Sequence, residues 1–96
     1  MKAVLIFKRS FIDPDGDRIE AVIWRIPGER LRMACIRYRM AFIPKHSAQP
    51  MVLYDNHHPK GHHKHWQGVE STYNFIDIPG LIADFEKDIL RWKDKK

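Results

Sequence analysis

A single cysteine, Cys35, among 96 residues leaves no partner for an internal disulfide and excludes zinc scaffolds built on four cysteines. The chain also lacks any apolar run approaching the ~20 residues of a membrane span. Its first apolar stretch, residues 4–7, is cut short by Lys8 and Arg9, too soon for a signal peptide. There is no glycine-rich phosphate loop and no Gly-x-Ser-x-Gly elbow, so nucleotide hydrolysis and esterase chemistry find no support. Repeats, low-complexity tracts and an internal linker are absent as well. These absences predict a soluble, cytoplasmic protein with one domain spanning residues 1–96.

What is present is a modest excess of positive charge and a crowd of imidazoles. The formal charge of +5 favours polyanionic partners, although it also serves solubility. Apolar residues make up 44% of the chain, enough for one thin core. All six histidines lie between His46 and His65, and five of them fall in the segment 54–66, which the sequence marks as a functional loop.

Around that loop the apolar pattern is that of strands. Residues 2–13 and 18–26 flank Asp13-Pro14-Asp15-Gly16, a turn sequence, and predict a hairpin. In residues 30–43, Leu31, Met33 and Cys35 change phase to Ile36, Tyr38, Met40 and Phe42, which predicts a bulge near Cys35. Residues 51–54 lead into the loop, and residues 72–78 supply a fifth run, with Tyr73, Phe75 and Asp77 on one parity. The periodicity then becomes helical. Over residues 79–94 Leu81, Ile82, Phe85, Ile89 and Trp92 share a stripe, with Asp84, Lys87, Asp88 and Arg91 opposite and Pro79 in the first turn. The expected architecture is α+β, an antiparallel β-meander of four to five strands packed against a C-terminal α-helix.

The loop admits three chemistries. Imidazoles ligate metals, yet Pro59 and Gly61 stand between His58 and His62 and oppose a helical ligand pair, while Lys60 and Lys64 would repel a dication. In an extended chain His63 and His65 share a face roughly 6.5 Å apart and could ligate together with Asp55. Acid–base cleavage of RNA is the second chemistry: one imidazole takes the proton of the 2′-hydroxyl, another protonates the leaving oxygen, and lysine or arginine neutralises the charge on phosphorus. The bland alternative is a solvated loop whose histidines bond to backbone, and for any one histidine this is the better account.

Segment 54–65, Tyr-Asp-Asn-His-His-Pro-Lys-Gly-His-His-Lys-His, resembles the signature of the TumE family of small toxins from prokaryotic toxin–antitoxin pairs. The resemblance extends to Tyr38-Arg39, to Tyr73-Asn74-Phe75 and to Leu81-Ile82-Ala83-Asp84-Phe85, and so covers most of the chain. The chain departs from the family pattern at His57-His58-Pro59, which makes those two histidines peripheral. What the resemblance implies is a cytoplasmic toxin held silent by a cognate helix-turn-helix antitoxin. The ribonuclease step rests on the loop and not on the resemblance.

These observations converge on a metal-independent endoribonuclease. Its expected catalytic set is His62 or His63 as base, His65 as acid, Lys60 on the phosphate and Asp55 orienting an imidazole. Arg37, Arg39 and Lys64 would hold phosphate, Tyr38 and Tyr54 would stack or position the substrate, and Asn56 would join them. RNA is the expected target, no cofactor or metal is called for, and a homodimer remains open. Two alternatives stay beside it: a nucleic-acid or partner-binding module toxic by occupying its target, and a divalent-metal nuclease using Asp55 with the histidines.

Overall fold

The structure, a computed structural model, describes residues 3–26, 36–56 and 61–94. Six strands lie side by side in chain order: β1 (Val4–Ile12), β2 (Arg18–Arg25), β3 (Ile36–Ile43), β4 (Val52–Asp55), β5 (His63–Trp66) and β6 (Val69–Thr72). Each pairs antiparallel with the next, and helix α1 (Ile78–Asp94) follows. The α+β meander with its C-terminal helix is the expected one, but the described residues form six strands and not four to five.

Both extra strands come from segments expected to behave otherwise. The histidine loop 54–66 contains β5, because Gln67 and Gly68 turn the chain straight back with φ of 52° and 87°. Positive φ at both central residues is the signature of a two-residue type I′ turn, whose twist matches that of the strands it joins. The run expected at residues 72–78 is not a strand beyond Thr72. Tyr73 and Phe75 reach the core from irregular chain, and Asp77 instead caps the helix, its Oδ1 accepting the Gly80 N–H at 2.8 Å. The bulge expected near Cys35 lies outside the described residues; a register shift does occur in β1, between Leu5 and Phe7.

Side-chain alternation gives the sheet two unlike faces. Ala21 and Ile23 of β2, Tyr38, Met40 and Phe42 of β3, and Val52 and Tyr54 of β4 are buried beneath the helix, which contributes Leu81, Phe85 and Ile89. Burying each of the larger apolar chains stabilises the fold by about 1.5–3 kcal/mol. Trp92 closes the far end of this core edge-on against Phe42, with ring centroids 5.3 Å apart. The opposite face carries Trp24, Arg37, Arg39, Asp55, His63 and His65 and has no described element over it.

Asp88 corrects the helical reading. It was expected among the residues opposite the apolar stripe, yet it is buried and accepts the Tyr54 hydroxyl at 2.6 Å and the Lys64 ammonium at 3.1 Å. Asp84, one turn earlier, accepts the Tyr73 hydroxyl. Two carboxylates four residues apart thus fasten the helix to β4 and to the chain after β6. The described helix is not long and apolar enough to cross a membrane.

Candidate active site

Adjacent residues of a strand point to opposite faces, so the expected histidine trio is divided. His63 and His65 stand on the face away from the helix, with ring centroids 5.4 Å apart and an edge-on arrangement, His63 buried and His65 partly exposed. His62, just before β5, turns toward the helix side. There its ring lies parallel to Phe75 at 4.9 Å and 4°, and its Nδ1 is 2.9 Å from the Tyr38 hydroxyl. His62 and His63 nevertheless meet at one cavity, whose wall is completed by Glu70, Ser71 and Thr72.

The two imidazoles have opposite electrostatic surroundings. Burial and the nearby charge of His63 lower the pKa of His62 below the ordinary imidazole value, which favours a neutral ring at pH 7. Tyr38 is buried beside Asp55, and both facts push its pKa up, so its phenol keeps its proton. His63 has oxygen acceptors at both nitrogens: Asp55 Oδ1 lies 3.1 Å from Nε2 and the Gly61 carbonyl 3.0 Å from Nδ1. Only the doubly protonated ring donates to both. The register sets Asp55 directly across from His63 and Arg39 directly across from Asp55, so the three form one row over β3, β4 and β5. His65 Nε2 stands 3.7 Å from Glu70 Oε1, its cross-strand neighbour.

Other expected site residues occupy different places. Tyr54 is 1% exposed, which leaves almost no ring surface for a base to stack on. Tyr38 is also in the core, whereas Arg37 and Arg39 are exposed on the far face, so the expected grip of an aromatic between two arginines is split by the sheet. Lys64 belongs to the helix side with Asp88 and Tyr54. Asn56 acts on backbone: its Oδ1 accepts the Tyr38 N–H and its Nδ2 donates to the Ile36 carbonyl, prolonging the β3–β4 ladder. Lys60, with His57 and His58, lies outside the described residues.

Glu70, Phe75, Ser71 and Thr72 were not singled out for chemistry. Tyr73-Asn74-Phe75 did stand out as part of the family pattern, but nothing in its spacing says that Phe75 covers an imidazole. A cation could be considered at two clusters. The ligand atoms of His63, His65 and Glu70 lie within 4.8 Å of one another, as do those of Asp13, Asp15 and Asp17. In the first, ligation by His63 would break its hydrogen bond to Asp55 or to Gly61. In the second, the Lys93 ammonium already contacts all three carboxylates.

Fold and site define a small α+β protein with two neighbouring imidazoles, one against Phe75 and Tyr38 and one against Asp55, at one end of an antiparallel meander. Residues 3–93 match the model of the family described as Toxin TumE, and the chain belongs to that family. It is therefore a toxin of a toxin–antitoxin system, and its membership implies an antitoxin partner. No curated protein and no solved structure matches it.

Proposed function

We propose that this toxin acts as a metal-independent endoribonuclease, with His62 as general base and His63 as general acid. The observation that carries the proposal is the pairing at one cavity of an imidazole held neutral by burial with one whose two nitrogens both face oxygen acceptors. A base must be neutral and an acid must have a proton to give, and these two surroundings suit the two roles.

His62 Nε2 takes the 2′-hydroxyl proton in the tautomer that places the ring proton on Nδ1, where the Tyr38 oxygen accepts it. The freed 2′-oxygen attacks phosphorus and the bond to the 5′-oxygen breaks. His63 gives the proton on Nδ1 to that oxygen, exchanging the Gly61 carbonyl for the leaving group, while Asp55 retains the proton on Nε2. Arg39, in the same cross-strand row, neutralises the phosphate as charge develops. The products are a 2′,3′-cyclic phosphate and a 5′-hydroxyl.

We take His63 and not the expected His65 as the acid because His63 lines the same pocket as His62 and has an acceptor at each nitrogen, while His65 lies beside it with ring centroids 5.4 Å apart. Incubating purified protein with a labelled RNA pool, with and without EDTA, tests the proposal. Cutting should resist chelation, leave cyclic phosphate ends and fall about 10²–10⁴-fold in His62→Ala. No cutting by the wild type, loss of cutting on chelation, or 3′-hydroxyl ends would overturn it.

A further inference from the structure

The sheet ends in two very different edges. β6 is four residues long and reads Val-Glu-Ser-Thr. β1 is nine residues long, and among the described residues nothing pairs with its outer side. Val4, Leu5, Ile6, Phe11 and Ile12 are exposed along it, Leu5 at 46% and Ile12 at 61%. An edge of this length and polarity presents a row of N–H and C=O groups together with apolar surface, which is a template for another strand.

Beneath the edge runs an apolar groove. The helix packs over β4 and leaves a channel between Phe7, Phe11 and Ile19 of the first hairpin and Ile82, Phe85 and Ile89 of the helix. Phe7 and Phe11 belong to both features, so a strand laid on β1 could send alternate side chains into the groove.

Charge selects the occupant. Lys8 is the middle residue of β1 and Arg9 follows it, with its guanidinium 4.9 Å from the Phe11 ring at the groove. A second copy paired antiparallel about the strand centre would set Lys8 against Lys8, an unfavourable cross-strand pair. The register shift between Leu5 and Phe7 further interrupts a long symmetric ladder but leaves residues 7–12 regular. Glu86 also lines the groove, whereas Lys8, between Phe7 and Arg9, faces away from it; these features oppose self-association and favour a strand whose carboxylate lies on the Lys8 face, as does the net charge of +5. Family membership supplies a partner that must bind this chain. We infer that the outer edge of β1, with the groove beneath it, receives an extended acidic segment of the antitoxin, which adds a seventh strand and places a carboxylate opposite Lys8.

This inference is independent of whether the toxin cleaves RNA. Its test is hydrogen exchange on the toxin alone and on the toxin–antitoxin complex purified after co-expression, with affinities measured for single variants. Amides of β1 should exchange more slowly in the complex, and Lys8→Glu and Phe11→Ser should each weaken antitoxin binding at least tenfold. Val69→Asp on the other edge should leave binding unchanged. Lys8 is exposed, so its reversal should keep the circular dichroism of the wild type. Unchanged affinity of folded Lys8→Glu, or β1 amides equally fast with and without antitoxin, would overturn the inference. So would a mass doubled in the free toxin with β1 already protected, which would assign the edge to a second copy.

Discussion

Two polar clusters of this protein use similar groups for different ends. At the β1–β2 turn, Lys93 from the last turn of the helix reaches Asp13, Asp15 and Asp17 at 2.8, 2.7 and 2.9 Å. Beside β5, His62 and His63 share a cavity with Asp55 behind one of them. Burial opposes charge at the turn, lowering Lys93 and raising Asp13 and Asp17, but the hydrogen bonds outweigh it. Lys93 therefore ends well above its ordinary value and the two aspartates below theirs. Lys93, Asp13 and Asp17 thus keep their charges near pH 7. Around His62, burial has no such opponent and moves the pKa down from a value that was already near neutrality. Charges locked far from working pH hold a shape, whereas a proton held in balance is available for chemistry.

Breaking the first cluster should have the largest effect. Lys93→Met removes the shared cation and leaves three carboxylates facing one another, two of them with side chains under 10% exposed. A loss of about 3 kcal/mol is expected from breaking such a pair on one side only. Urea unfolding would read it, and an unchanged midpoint would show that the cluster contributes nothing. In the wild type the sign of the pH dependence is set by the shifts. The Asp13 and Asp17 contribution is complete above their ordinary pKa of 3.8 and is lost as pH falls through their lowered values. That of Lys93 is complete below 10.5 and is lost only as pH rises through its raised value. Stability from this source should be flat across the neutral range.

Asp55→Asn sharpens the comparison at the other cluster. Asparagine preserves the shape and an acceptor oxygen but removes the charge that faces His63 Nε2. If His63 is the acid, turnover should fall about 10–100-fold with little change in KM, as expected of a group that orients another. A rise in KM with turnover intact would instead place Asp55 in substrate binding.

The contrast between these clusters was only partly legible in the sequence. Asp13-Pro14-Asp15-Gly16 announced its turn, since the residue types alone demand one, and the helical stripe announced α1. Nothing local tied Lys93 to a turn some eighty residues away, because that pairing exists only once the helix has crossed the sheet. The strands β5 and β6 escaped notice for a different reason. Each is four residues long and mostly polar, and their pairing is fixed by a turn at Gln67 and Gly68 in which glutamine takes an uncommon positive φ. The importance of the histidines was visible in their number, but alternation along β5 decided which face each one serves. Tyr38 shared the apolar parity of Ile36, Met40 and Phe42 and yet, like Tyr54, was expected to position substrate; burial at 2% and 1% exposure gives both to the core instead.

The smallest expected effect is also the most direct test of why His62 differs from the locked charges. Phe75 lies flat on its ring, and burial is the leading cause of its lowered pKa. If His62 is the base, it acts in its neutral form, and the acid limb of kcat/KM should fall below the ordinary imidazole value of 6.5. Phe75→Ala admits water to one face of the ring and should move that limb to higher pH by a fraction of a unit, with the alkaline limb unmoved. Tyr38→Phe separates burial from hydrogen bonding, because it keeps the aromatic cover and removes only the partner of Nδ1. If both variants leave the limb where it was, the titrating base is another group; if Phe75→Ala alone shifts it, exclusion of water by the aromatic cover is what sets His62 apart.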